Sequence, residues 1–72
     1  MPDQEILALL KSDVDAWNDW RAEDPTLRPL LNGVDLTGAD LQMANLSNAL
    51  LRNAILVLAN LKGADLRGAD LR

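Results

Sequence analysis

The sequence predicts an all-β solenoid that follows an N-terminal helical cap. Three observations predict this class: a leucine that returns every five residues, a small apolar residue two positions before each leucine from Leu36 onward, and a helical apolar pattern confined to the first third of the chain. The nine leucines in phase are Leu31, Leu36, Leu41, Leu46, Leu51, Leu56, Leu61, Leu66 and Leu71. Such regular recurrence indicates a repeated structural unit.

Each unit consists of a small residue, a polar residue and the leucine, followed by two variable residues. The small residue is Val34 in the first unit and alanine in the others, namely Ala39, Ala44, Ala49, Ala54, Ala59, Ala64 and Ala69. The middle residue is mostly Asp or Asn. Because the small residue and the leucine are two positions apart, they lie on one face of a short extended segment.

A period of five fits neither regular secondary structure. In an α-helix it rotates successive leucines by about 140°, and in a straight strand it alternates them between the two faces. Each unit is therefore predicted to be a short extended side plus a corner. The expected corner residues tolerate a positive φ; they are Gly33, Gly38, Asn48, Asn53, Gly63 and Gly68. Repeated corners of one hand form a coil, and stacked coils satisfy one another's backbone groups.

The tandem Ala-Asp/Asn-Leu units of residues 34–72 resemble the pentapeptide-repeat family. The resemblance implies a right-handed quadrilateral β-helix with four units per coil, about two coils in this chain, with the leucine and alanine series pointing inward. Residues 9–21, which contain Trp17-Asn18-Asp19-Trp20-Arg21, also resemble the N-terminal region of cyanobacterial members of the family.

Four units per coil place residues twenty apart in one column. The predicted columns pair Asp40 with Asn60, Asn45 with Asp65, and Leu50 with Asp70. No Asp stacks on another Asp, so the columns offer no carboxylate cluster for calcium. We expect the Asp and Asn side chains to bond to nearby backbone groups instead.

The N-terminal segment carries one apolar helical stripe. Its members include Ile6, Leu7, Leu10, Val14 and Trp17. Ser12 and Asp15 have the spacing of a capping box, which favours a break near Ser12 and leaves one or two helices open. Pro25 ends the pattern. The predicted domains are a helical cap over residues 1–24 and a repeat region over residues 25–72, which residues 24–30 enter as an extended linker.

Trp17 and Trp20 are the only aromatic residues, and they have two readings. They could stack on a ligand or on nucleic-acid bases. However, Asp15 and Asp19 lie beside them and repel phosphate, so we expect the tryptophans to anchor the cap in the core.

The composition argues against catalysis and against resident cofactors. Among 72 residues there is no Cys, His or Tyr, and the only serines are Ser12 and Ser47. Common nucleophiles, bases and zinc ligands are thus missing, and a leucine-filled interior leaves no pocket. We expect no enzyme activity, no cofactor and no metal. The acidic start is unlike a secretory signal and no stretch has membrane-spanning length, so a cytoplasmic protein without membrane association is expected.

Charge is divided unevenly along the chain. Residues 1–28 contain seven acids and three bases, whereas residues 29–72 contain four of each. The repeat region is therefore neutral, and direct nucleic-acid binding is not expected.

Two apolar surfaces are candidate interaction sites. Leu50, Ile55, Val57 and Leu58 occupy outward positions on adjoining sides and form a candidate interaction patch, to be covered by the cap or by another chain. Leu66 and Leu71 lie in the final layer, which nothing in the sequence covers, and form a candidate dimer layer.

The predicted function is a structural or protein-interaction module with an unidentified protein partner and a homodimeric state. The resemblance also implies an alternative, since the family includes DNA-mimicking proteins that bind and protect or inhibit gyrase. A neutral repeat region argues against this alternative because mimicry requires dense negative charge. A third possibility is a fragment of a longer repeat protein.

Overall fold

A computed structural model describes residues 3–72, with the side chains of residues 4–72. Met1 and Pro2, where the predicted cap begins, lie outside the described residues. Two helices come first: α1 spans Asp3–Ser12 and α2 spans Val14–Glu23. Neither of these helices of residues 3–72 has the length and apolar content needed to cross a membrane.

The chain breaks between the helices at Asp13. This residue has extended backbone angles (φ −155°, ψ 93°), and its carboxylate accepts a hydrogen bond from the Ala16 N–H at 3.0 Å. The predicted break is confirmed, but the cap is Asp13 and not Ser12. The Ser12 hydroxyl instead donates back to the Leu9 carbonyl at 3.4 Å. An Asp at this position also places a negative charge at the N-terminus of α2, which the helix dipole favours.

The repeat region consists of isolated parallel bridges and contains no longer strand among the described residues. The bridged pairs are Leu30 with Leu50, Asp35 with Ile55, Asp40 with Asn60, Asn45 with Asp65, and Leu50 with Asp70. Every pair is twenty residues apart, which confirms the predicted columns. We call residues 30–49 the first coil and residues 50–69 the second coil. Strands stay short because a corner interrupts the chain every five residues.

The corners have the left-handed backbone that the spacing predicts. All the predicted Gly and Asn residues have positive φ. Met43 and Leu58 also have positive φ, 63° and 60°, although neither residue type favours it. They occupy the same phase of the repeat as the glycines, so the turn of the chain imposes the conformation on whatever residue stands there.

Glycines in the second coil make room for side chains of the first. A β-carbon on Gly63 would overlap the Met43 sulfur, and one on Gly68 would overlap the Asn48 side-chain oxygen. Met43 therefore leans from its own coil toward the next one. The corner glycines serve both backbone conformation and stacking.

Burial of the repeated leucines falls toward the C-terminus. The five leucines from Leu31 to Leu51 are at most 1% exposed, and they form the core with Ile6, Leu10 and Trp17 of the helices. Leu56, Leu61 and Leu66 are half-buried, and Leu71 is 49% exposed. The inward assignment is confirmed for the first five, and the core lies between the helices and the second coil.

Candidate interaction surfaces

The helical segment covers the N-terminal end of the first coil through side chains of α2. The Trp17 indole N–H donates to the Asn45 carbonyl at 2.8 Å, and the Asn18 amide oxygen accepts from the Asn45 N–H at 2.7 Å. The Asn18 amide nitrogen also donates to the Met43 carbonyl at 3.0 Å. The side chains of Trp17 and Asn18 thus make the hydrogen bonds to the backbone of the first coil that the backbone of a preceding coil would otherwise make.

Arg21 completes this contact from inside the protein. It is 1% exposed, and its guanidinium donates to the carbonyls of Asn45 at 3.3 Å, Leu27 at 2.7 Å and Ser47. Burial lowers the pKa of Arg21, while the charges of Asp24 and Asp65 oppose that shift. Among the described residues no buried side-chain nitrogen or oxygen lacks a hydrogen-bond partner. The sequence pattern gives no sign of a buried arginine, so its role was not predicted.

The predicted anchoring role of the tryptophans is confirmed for Trp17, which is fully buried. Trp20 is partly buried beside it, with the ring centroids 5.1 Å apart and the planes at 60°. Both rings pack against the core and not outward as stacking platforms.

We call Leu50, Ile55, Val57 and Leu58 the lateral patch. Ile55, Val57 and Leu58 are 45%, 59% and 86% exposed, whereas Leu50 is half-buried between its column neighbours. Of the two candidate covers, the helical segment is not the one that lies over this patch. The hydrogen bonds of α2 reach the end of the first coil at residues 43–47, and the patch lies on the side of the second coil.

We call the last four leucines the C-terminal layer; they are Leu56, Leu61, Leu66 and Leu71. The predicted dimer layer, Leu66 and Leu71, belongs to it. Leu71 lies above Leu51, since the Leu51 N–H donates to the Asp70 carbonyl at 2.7 Å. Leu56 and Leu61 were not predicted as members, although the five-residue phase places them in the same layer of leucines.

The Asp and Asn side chains of the repeats bond to nearby backbone, as expected. Each accepts from the N–H two residues later at 3.0–3.3 Å: Asp35 from Thr37, Asp40 from Gln42, Asn45 from Ser47, Asn60 from Lys62, Asp65 from Arg67, and Asp70 from Arg72. These bonds fix the first residue of each corner.

The acids near the C-terminal end are paired with arginines. Arg67 pairs with Asp65 at 2.8 Å, and its hydrogen bonds lower the Asp65 pKa to about 2. Arg52 and Arg72 pair with Asp70 at 2.6 and 3.3 Å, and the Arg52 hydrogen bond lowers the pKa of Asp70. The carboxylates of this region are therefore neutralised locally.

One cavity of about 300 Å³ lies where α1 and α2 meet the first coil. Its lining includes Lys11, Asp13, Asp15, Asp40 and Gln42. Within the described part of the chain, no three His, Cys, Asp or Glu side chains come together as potential metal ligands. This lining contains none of the repeated leucines, so the cavity lies outside the leucine-filled interior.

Residues 30–68 match the family described as pentapeptide repeats, with eight copies of the unit. The match covers more than half of the chain, and the protein belongs to this family. Membership indicates a non-enzymatic repeat module. The match does not include residues 9–21, so their resemblance to cyanobacterial members stays a prediction. No curated protein and no solved structure matches the chain.

Proposed function

We propose that the chain is a non-catalytic protein-interaction module whose repeat region is a right-handed quadrilateral β-helix of about two coils. The parallel pairing of residues twenty apart and the family membership support this fold. The absence of His, Cys and Tyr from the sequence supports a non-catalytic role. The cytoplasmic location expected from the sequence stays a prediction.

The observation that carries the proposal is the state of Leu58. Its side chain is 86% exposed, and its backbone has φ 60°. A left-handed backbone costs a non-glycine residue roughly 1–2 kcal/mol, and an exposed leucine gains no burial energy in return. Gly38 and Gly63 occupy equivalent corners without this cost. A strained and exposed leucine is understandable where a partner buries it.

The lateral patch suits a second copy of the chain. Ile55 and Val57 adjoin Leu58, are 45% and 59% exposed, and carry no charge. Two copies related by a two-fold axis can therefore bury the patch without desolvating an ionised group. We propose a homodimer through this patch.

DNA mimicry receives no support from the charge arrangement. Mimicry needs a continuous array of unpaired negative charge. Asp65 and Asp70 are paired with arginines, and their column neighbours are Asn45 and Leu50. A protein partner is the better proposal.

Light scattering over a range of protein concentrations tests the homodimer. We expect the wild-type chain to dimerise and Ile55→Glu to remain monomeric, because the variant places a charge in the buried contact. Gln42→Glu is the control for an added charge at an exposed corner on another side. Leu71→Glu tests the C-terminal layer as the competing dimer site and is expected to leave the dimer intact. A wild-type chain that stays monomeric would exclude the homodimer.

Leu58→Gly separates stability from association. We expect the variant to be more stable than the wild type by about 1 kcal/mol in chemical unfolding, because glycine removes the left-handed strain. We expect it also to dimerise more weakly, because the patch loses its most exposed side chain. Unchanged dimerisation in a stabilised variant would contradict a functional role for Leu58.

A further inference from the structure

The hydrogen bonds between the two coils have a direction. On the side of Asp40, the N–H groups of Leu41 and Met43 donate to the second coil at 2.8 and 2.9 Å, and the Asn60 N–H donates back at 2.9 Å. The sides of Asp35 and Asn45 follow the same pattern. Each side therefore sends two N–H groups toward the C-terminal end for every one that it receives.

This polarity determines the chemistry of the two ends. The N–H groups of Leu41 and Met43 point toward the C-terminal end, where the second coil accepts them. The second coil repeats this backbone, so the N–H groups of Leu61 and Gly63 point in the same direction, away from the first coil. Among residues 3–72 no backbone carbonyl accepts from them. The C-terminal end thus carries an excess of N–H donors, and the N-terminal end carries an excess of carbonyl acceptors.

At the N-terminal end, side chains of the helical segment donate hydrogen bonds to the excess carbonyl groups. Trp17, Asn18 and Arg21 donate to the carbonyls of Met43, Asn45 and Ser47. An amphipathic helix therefore covers one end of the stack by combining an apolar face with side chains of matching hydrogen-bond character.

Side-chain charge adds to the donor excess at the other end. Residues 51–72 contain four bases and two acids, a net charge of +2, whereas residues 1–50 contain three bases and nine acids, a net charge of −6. The bases of the second coil and its C-terminal extension are Arg52, Lys62, Arg67 and Arg72. The C-terminal layer is thus a partly exposed leucine surface with a positive, donor-rich rim.

We propose that the C-terminal layer binds an acidic amphipathic helix of another protein. The leucines would take the apolar face of that helix, and its carboxylates would accept from the N–H groups of Leu61 and Gly63 and pair with Lys62. The proposal rests on the proposed function as an interaction module and specifies a second partner. A second copy docked through the same layer is disfavoured, because it would bring together two positive, donor-rich surfaces.

Two synthetic peptides of about 15 residues provide the probe. Both carry the same leucine face, and their polar faces carry glutamate in one peptide and lysine in the other. In an NMR titration of the full chain, we expect the glutamate peptide to shift the amide signals of Leu61, Gly63 and Leu66. We expect the lysine peptide to bind at least about tenfold more weakly. Equal binding of the two peptides, or shifts confined to the lateral patch, would overturn the proposal.

A matched pair of variants locates the charge requirement. Lys62→Glu is expected to weaken binding of the glutamate peptide several-fold, and Lys11→Glu, the same charge change on α1, is expected to leave it unchanged. Thermal melts check that both variants fold. Equal affinities for the two variants would overturn the proposal, as would protection of the Leu61 and Gly63 amides by self-association of the wild type. If the glutamate peptide does not bind, the proposed dimer through the lateral patch is unaffected, because light scattering of the wild type and Ile55→Glu tests that dimer without peptide.

Discussion

The two ends of the repeat region are both backbone edges, but they differ in the hydrogen-bonding groups that they present and in what lies against them. At the N-terminal end, α2 lies against the first coil, and Leu36 and Leu41 are fully buried. At the C-terminal end, Leu56 and Leu61 occupy the equivalent interior positions twenty residues later and are only half-buried. The repeat unit therefore orients a leucine inward, but only a neighbour on each side completes its burial.

The comparison also concerns polar groups. The Asn45 N–H and carbonyl lie at the end of the first coil, and Asn18, Trp17 and Arg21 satisfy them. A side chain of α2 thus performs the task that backbone performs between coils. At the N-terminal end these side chains supply mainly hydrogen-bond donors to backbone carbonyls. A partner of the C-terminal end would have to supply mainly acceptors for backbone N–H groups.

Deletion of the helical segment is the most severe test of this comparison. Removal of residues 1–24 exposes the first leucine layer and leaves the Asn45 and Ser47 carbonyls without their donors. We expect an unfolded or aggregating chain, as measured by circular dichroism melting and size-exclusion chromatography. A monomeric 25–72 fragment that melts cooperatively would show that the coils do not need their cover.

Leu41 and Leu61 give a matched pair, because they occupy the same column in successive coils. Leu41→Ala removes a fully buried side chain and is expected to cost about 2–5 kcal/mol of unfolding free energy. Leu61→Ala removes a half-buried one and is expected to cost less than half as much. Chemical unfolding of both variants measures the difference. Equal costs would mean that the C-terminal layer is covered in solution.

Arg21→Lys tests the polar part of the cover. A lysine keeps the charge but cannot reach the carbonyls of Leu27, Asn45 and Ser47 together, so we expect a loss of about 2 kcal/mol or more. Arg28→Lys is the control, since Arg28 is exposed although it also donates to backbone carbonyls. Similar unfolding free energies for the two variants would show that the three hydrogen bonds of the buried Arg21 guanidinium do not stabilise the protein more than those of an exposed arginine.

Acid should weaken the second coil before the first. In the first coil, hydrogen bonds from Thr37 lower the pKa of Asp35. Beside the second coil, the folded pKa of Asp65, about 2, lies below the ordinary value of 3.8, and that of Asp70 is also lowered. Their contribution to stability is present above about pH 4 and is lost as the pH falls toward 2. Amide exchange between pH 4 and 2 should therefore accelerate more in residues 50–69 than in residues 30–49. Asp65→Asn should reduce this pH dependence, and an unchanged profile would contradict the assignment.

Much of the fold could be predicted because the repeat carries its own geometry. The twenty-residue columns follow from the five-residue spacing and the four-unit coil that the family resemblance implies, and the structure confirms the pairing of Asp40 with Asn60. Most corners could be predicted because they contain Gly or Asn, which tolerate a positive φ. Met43 and Leu58 were not identified as left-handed corners, because their residue types do not favour that conformation, although their phase in the repeat could have identified them.

The candidate surfaces were predicted less completely. The outward positions of Ile55, Val57 and Leu58 follow from the repeat phase, and all three are exposed. The direction from which the helices approach does not follow from that phase, so the sequence left open whether the helical segment or another chain covers the lateral patch. Leu56 and Leu61 were missed in the C-terminal layer because burial of a leucine depends on the adjacent coil and not on its own unit.

By itself, the sequence determined the unit, its inward leucine and its corners, because these depend on residues within five positions of one another. Only the tertiary structure decided that Arg21 is buried, that α2 covers one end and not the lateral patch, and that Leu61 is less buried than Leu41. These features depend on contacts between segments about twenty or more residues apart. A local pattern specifies which face a side chain takes, whereas burial and hydrogen-bond partners depend on what the folded chain brings against that face.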